Sequence, residues 1–188
     1  MDIHAGGRDL IFPHHENEIA QAEALTGKKF AKYWIHHGLL TIDGKKMSKS
    51  LGNFVTIQAI LKKYEPNVLK LFFLTAHYGS PMDFTYCGLD QPKKAYEKIE
   101  EFLYKIAVLK NDTAAVAQKE ADALRQKFES VMDDDFNTAK ALAVIFELLA
   151  LGNKYLLGID TNSAAVYTSE VLIELARVLG LNLKTLDN

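Results

Sequence analysis

The sequence predicts a mainly α-helical chain in which a short mixed α/β region leads into an antiparallel helical bundle. Three observations predict it. Residues 1–55 are rich in Gly and His and hold only short periodic pieces. From Thr56 onward apolar residues recur at helical spacing. From about Asp90 that spacing is nearly unbroken to the end of the 188 residues, a length that suits one sizeable domain or two small ones.

Taken in order, Glu16 to Leu25 reads as a helix entered through Pro13 and ended at Gly27. Tyr33 to Ile42, with aromatic and β-branched residues, includes a strand closed by a turn at Asp43-Gly44. Lys45 to Ser50 is polar and without apolar periodicity, so it is expected to be an exposed, mobile loop. Thr56 caps a helix running through Tyr64. Pro66 opens another through Ala76, whose Val68, Leu69, Leu71, Phe72 and Phe73 are expected to be buried. Gly79, Ser80 and Pro81 break it.

Asp90 caps a long helix to about Leu109, with Pro92 tolerated in its first turn and Tyr96, Ile99, Leu103, Ile106 and Leu109 as its stripe. Three more helices follow, at about 119–132, 138–157 and 164–179, the last stopped by Gly180. The helix holding Leu142, Val144, Ile145, Leu148 and Leu149 is apolar on much of its circumference, as the central member of a bundle would be.

Apolar residues make up 48% of the chain and charged residues 24%, ordinary values for a globular protein. No apolar run approaches the roughly 20 residues a membrane span needs. No basic stretch leads into an apolar segment with a cleavage site. A cytoplasmic protein with no membrane partner is expected. Cys87 is the single cysteine, which excludes an internal disulfide and a zinc site made only of thiolates. It is expected to be a small buried or half-buried hydrophobe. Residues 1–110 hold 15 Lys/Arg against 12 Asp/Glu and residues 111–188 hold 7 against 12, so contact with RNA phosphates would favour the first part.

Two stretches carry chemistry. Lys46-Met47-Ser48-Lys49-Ser50, continued by Leu51-Gly52-Asn53-Phe54, places two ammonium groups three residues apart beside small hydroxyls. Such a loop can fold over a triphosphate and neutralise charge as a pyrophosphate bond breaks. The plain alternative is a solvated basic loop. In His14-His15-Glu16-Asn17-Glu18, a helix beginning here sets His14 and Glu18 on one face, four residues apart. Both are zinc ligand types, but two are too few for a closed tetrahedral site. The alternative is a solvated first turn whose acidic residues complement the helix dipole.

Weaker signals surround these. Gly6 and Gly7 permit close backbone approach to a ligand, and Asp9 can accept from ribose hydroxyls, although a tight strand-to-helix turn explains them equally. Trp34-Ile35-His36-His37-Gly38 is expected to be a packed aromatic with satisfied histidines, and His77 to be structural. Met132-Asp133-Asp134-Asp135-Phe136-Asn137-Thr138 lacks the Gly and distal Glu of a calcium loop. Asp135, Asn137 and Thr138 are instead expected to cap the following helix.

Lys46 to Ser50 resembles the signature loop of class I aminoacyl-tRNA synthetases. Asp2 to Glu18 resembles the segment that sets cysteinyl-tRNA synthetases apart from their class I relatives, and the likeness extends to about Leu157. The resemblance implies that residues 1–44 close a class I nucleotide-binding α/β domain. Residues 45–89 would hold the signature loop and stem-contact helices, and residues 90–188 a helical bundle supporting tRNA. It implies ATP with Mg²⁺, L-cysteine and tRNA(Cys) as partners. Lys46 and Lys49 would be catalytic, and Lys46, Met47, Ser48, Lys49, Ser50, Gly7 and Asp9 would contact ATP. His14 and Glu18 would be two of the ligands of a zinc ion that binds the substrate thiolate. The family's two cysteine ligands and its His-Ile-Gly-His-type motif would lie upstream of Asp2, and an anticodon-reading domain downstream. These residues are therefore expected to be part of a longer, monomeric protein, binding zinc weakly and not adenylating by themselves. Two alternatives stay open: a cysteine–amino-sugar ligase of the same fold, and a non-catalytic tRNA-binding fragment.

Overall fold

The computed structural model describes residues 1–47, 52–110 and 115–183. Its contacts divide the chain into two compact units, Met1–Val55 with Tyr78–Thr85 and Thr56–His77 with Tyr86–Asn188. Ser48, Lys49 and Ser50 lie outside the described residues.

In the first unit, β1 (Ile3–Gly7) and β2 (Tyr33–His37) pair in parallel. Parallel strands need a crossover, supplied here by two short turns, Arg8–Leu10 and Ile11–His15, and by α1 (Glu16–Thr26), which ends at Gly27 as expected. The register sets His4 opposite Trp34 and Gly6 opposite His36. Side chains alternate along a strand, so these four positions share one face. Phe12 stays extended (φ −130°, ψ 129°) because Pro13 disfavours the helical region for the residue before it.

The stretch from Tyr33 to Ile42 contains two strands. After Gly38 the chain enters β3 (Leu40–Ile42), which belongs to a separate three-stranded sheet in the order β4–β3–β5. Lys45–Lys46, expected to be loop, form β4, antiparallel to β3. The reason lies in the turn. Asp43 (φ 50°) and Gly44 (φ 71°) are both left-handed, as a two-residue hairpin requires, so the chain folds straight back onto β3. β5 (Met82–Phe84), parallel to β3, carries no signal in the sequence, since three residues are too few to show a period.

The second unit is helical. In α2 (Ile57–Leu61) the Thr56 hydroxyl accepts from the Ala59 N–H at 3.1 Å, and the helix stops before Tyr64. α3 (Pro66–Leu74) starts at Pro66 and buries Val68, Leu69, Leu71 and Phe72. Phe73 does not follow them. It is 43% exposed, because the stripe at positions 68, 69, 71 and 72 leaves it on the outer side of the helix.

α4 (Asp90–Lys110) buries Tyr96, Ile99, Phe102, Leu103 and Ile106, while Leu109 at its end is half-buried. α5 (Lys119–Asp133), α6 (Thr138–Leu156) and α7 (Asn162–Val178) complete the bundle. α6 packs against α4, α5 and α7 and buries Val144, Ile145 and Leu148, which makes it the central member expected. Asn137 caps α6, accepting from the Lys140 N–H at 3.2 Å. The Thr138 hydroxyl donates to the Ala76 carbonyl, and Asp135 takes a left-handed conformation with its carbonyl oxygen 2.9 Å from His77 Nε2. Cys87, expected to be buried or half-buried, is exposed, because it opens a short surface turn (Cys87–Leu89) in which Leu89 takes the core position. Among the described residues no helix is long and apolar enough to cross a membrane.

Candidate active-site elements in the first unit

The shared face of β1 and β2 carries a cluster of imidazoles against one indole. His15, at the mouth of α1, is only 3% exposed and lies directly over Gly6, where an added Cβ would stand 2.7 Å from its ring atoms. Gly6 thus grants close approach, but to a side chain of the same unit. His15 Nδ1 and His36 Nε2 share a hydrogen bond at 2.9 Å. The Trp34 ring lies parallel to His36 and meets His4 at 4.8 Å and His15 at 5.1 Å between centroids. Of the histidines in the 34–38 stretch, His36 is packed and partnered, whereas His37 is exposed, with its Nδ1 3.0 Å from the Gly38 carbonyl oxygen.

Burial pushes the His15 imidazole below its usual range, His36 beside it adds to the effect, and Glu18 opposes it. His15 is accordingly a neutral imidazole near pH 7.

Glu18 stands in the first turn of α1. Its Oε1 lies 3.6 Å from His14 Nε2, and its Oε2 lies 3.1 Å from His4 Nε2. The helical spacing therefore sets His14 and Glu18 side by side, and β1 brings His4 to the same carboxylate. Ligand-capable atoms of His4, His15 and Glu18 all fall within 4.8 Å of one another. Glu18 Oε2 is shielded from solvent and has no partner in hydrogen-bond geometry among the described residues, His4 notwithstanding. Two imidazoles and a carboxylate at this spacing are donor types that could hold a metal ion. Sequence alone assigns no function to His4 or His15, and expects His36 only to be satisfied within a packed stretch. The signal that gathers them is the parallel register, which cannot be read before the pairing is known.

Gly7 is buried, and a Cβ there would stand 2.5 Å from Asp9 Oδ1, so the Asp9 carboxylate folds back over Gly7 in the first turn after β1. Lys46 is exposed at the end of β4, and Met47 is half-buried. Asn53 Nδ2 donates to the Lys46 carbonyl at 3.2 Å. Asp83 on β5, which the sequence did not single out, accepts at Oδ1 from the Thr41 hydroxyl (2.5 Å) and from the Gly44 N–H (2.8 Å). The Thr41 bond, followed by the Gly44 bond, holds its carboxyl below the usual carboxylate range.

Solved structures that share this fold include two tRNA synthetases. The LeuRS of Agrobacterium radiobacter K84, in a ternary complex with tRNA and LeuAMS, matches 96% of this chain and 28% of its own, with a TM-score of 0.75 and 15% identity. Mycobacterium tuberculosis methionyl-tRNA synthetase, in complex with methionyl-adenylate, matches 95% of this chain and 40% of its own, with a TM-score of 0.69 and 18% identity. The sequence narrows the class further. Residues 1–94 match the family model for the class I (C) tRNA synthetase catalytic domain, and the chain belongs to that family. Residues 127–184 match the DALR domain.

Curated relatives named cysteine–tRNA ligase include those of Lachnoclostridium phytofermentans (49% identity, 82% of this chain, 36% of the relative) and Anoxybacillus flavithermus (46%, 98% and 41%). That of Thermococcus onnurineus is 47% identical over 88% of this chain and 37% of its own. The chain spans only about two fifths of the longest-matched relatives' length.

Proposed function

We propose that these residues form part of a cysteine–tRNA ligase, which joins cysteine to ATP as cysteinyl-adenylate and passes the cysteinyl group to tRNA(Cys). The observation that carries this reading is the 46% identity, over 98% of the chain, to a protein of that name. In the first step the cysteine carboxylate attacks the α-phosphate of ATP and pyrophosphate leaves. In the second, the terminal adenosine hydroxyl of the tRNA attacks the adenylate carbonyl and AMP leaves.

Lys46 and Lys49 would neutralise charge growing on the phosphates as the bond to pyrophosphate breaks, with Met47, Ser48 and Ser50 shaping the loop around them and Mg²⁺ accompanying the triphosphate. Gly7 and Asp9 would meet the adenosine end, where a carboxylate can accept from ribose hydroxyls. His14 and Glu18 would hold a zinc ion, which when bound supplies a soft acceptor for the cysteine thiolate. A serine hydroxyl coordinates such an ion poorly, so selection would rest on a metal bond instead of on pocket size. Around that site His15, neutral and fixed by His36, would wall off water without adding charge. Residues 45–89 would contact the acceptor stem, and the bundle over 90–188 would support the rest of the tRNA.

The test uses the protein at the full length of its curated relatives, with cysteine-dependent ATP–pyrophosphate exchange as the readout. Lys49→Ala is expected to lower the exchange rate by on the order of a hundredfold or more while leaving cysteine affinity near that of wild type. His14→Ala is expected to lose bound zinc and to weaken cysteine binding first. Full zinc occupancy in that variant would remove His14 from the ligand set. Failure of the wild type to exchange with cysteine would overturn the assignment.

A further inference from the structure

The proposed chemistry makes no use of Asp83, yet its position is unusual for a surface carboxylate. β4 has only two residues, both exposed, and so short a strand gains little from apolar burial. What holds it is polar. Across the hairpin Thr41 is the register partner of Lys46, and Gly44 is the second residue of the turn between them. The Thr41 hydroxyl and the Gly44 N–H both donate to one oxygen, Asp83 Oδ1, at 2.5 and 2.8 Å. On the other side Asn53 Nδ2 donates to the Lys46 carbonyl at 3.2 Å.

The Lys46 backbone is therefore held through its ladder partner, through the turn that precedes it and through Asn53. The first two anchors converge on a single carboxylate brought from β5, about forty residues later in the chain. The Thr41 and Gly44 bonds depress the Asp83 pKa, so near neutral pH the group is ionised and both bonds are charge-assisted.

We propose that Asp83 is a positioning residue for Lys46: by holding Thr41 and the Asp43-Gly44 turn from β5, it sets the direction in which the Lys46 ammonium leaves the sheet. The catalytic consequence rests on the ligase reading above; the anchor itself does not. A lysine on a frayed two-residue strand would sample many directions, and an ammonium held in one loses less freedom when phosphate arrives.

Two measurements test this separately. In the 188-residue chain, amide hydrogen exchange at Gly44 is expected to be slow in wild type, about tenfold faster or more in Asp83→Ala, and near wild type in Asp83→Asn, which keeps an acceptor oxygen. Unchanged exchange in Asp83→Ala would overturn the anchor. In the full-length protein, Asp83→Ala is expected to lower kcat for ATP–pyrophosphate exchange by on the order of tenfold, to leave the KM for cysteine within about twofold, and to be largely rescued by Asp83→Asn.

Wild-type kcat in Asp83→Ala would overturn the positioning role. So would a parallel loss of kcat and cysteine KM that Asp83→Asn fails to rescue, since that marks a merely structural residue. Should Asp83→Ala not fold, Thr41→Val removes one of the two anchors and is expected to give a smaller fall in kcat. No fall there would equally refute the proposal. A wild type lacking cysteine-dependent exchange would remove the ligase reading, while the Gly44 amide would still decide the anchor.

Discussion

Replacing Gly6 by alanine probes how tightly the histidine cluster is built. The new Cβ would stand 2.7 Å from Cε1 and Nε2 of His15 and 3.3 Å from Leu10 Cδ1. Ordinary contact begins near 3.5 Å, so the ring would have to retreat by roughly 0.8 Å. His15 is poorly placed to retreat. It is buried, bonded to His36 at 2.9 Å, and set edge-on to His4 with Trp34 on another side. Forced overpacking of this kind costs about 1–3 kcal/mol. Alanine recovers about 0.5–1 kcal/mol by restricting the unfolded chain relative to glycine.

The clash wins, and a net loss of about 1–2 kcal/mol is expected, or a few degrees in the thermal midpoint. Circular-dichroism melts of both proteins would measure it, with the His15 ring resonances as a local report. Truncating the ring should abolish the effect. In a His15→Ala background Gly6→Ala is expected to be close to neutral, a coupling of about 1 kcal/mol or more. A Gly6→Ala protein as stable as wild type, with the His15 resonances unmoved, would refute the close packing on which the cluster's description depends.

Two further substitutions test the helical unit. Gly152→Ala would set a Cβ against the ring of the fully buried Phe102, and overpacking of about 1–3 kcal/mol should exceed the gain of up to about 1 kcal/mol in helix propensity. Urea denaturation should show a lower midpoint, restored in part by adding Phe102→Leu; a midpoint above wild type would contradict the packing. Asn67 is buried and ties the chain after α7 to α3, donating to the Tyr96 hydroxyl (3.2 Å) and the Asn182 carbonyl (2.8 Å) and accepting from the Asn182 N–H (3.3 Å). Asn67→Ala leaves these groups short of partners and is expected to cost about 1–3 kcal/mol, read by the same urea titration. Faster amide exchange at Asn182 should accompany it, and wild-type exchange there would count against the bond.

The helices were legible wherever burial follows a period. α5, α6 and α7 begin and end within a residue or two of their expected limits, because long amphipathic segments leave few alternatives, and Asn137, Asn162 and Gly180 mark borders of the last two. Short segments are less legible. Nothing in Lys45-Lys46 or in Met82-Asp83-Phe84 marks a strand, since strands of two or three residues are decided by the partner they find. Phe73 and Cys87 depart from expectation for a related reason. Side-chain chemistry says that both can be buried, but the phase of α3 and the surface turn at residues 87–89 leave them in solvent.

In the candidate site the division is equally physical. Sequence by itself determined the neighbours in chain: His14 beside Glu18 follows from four-residue helical spacing, and the Asp43-Gly44 hairpin follows from two residues that tolerate left-handed backbone. Tertiary structure alone decided the rest. It laid β1 against β2 in the register that gathers His4, Trp34 and His36 around His15, and it brought Asp83 to the turn below Lys46. Local spacing is set by backbone geometry, which is the same in every chain. The meeting of residues 4, 15 and 36, or of 44 and 83, depends on which strands pair, and that is settled only when the whole unit buries its core.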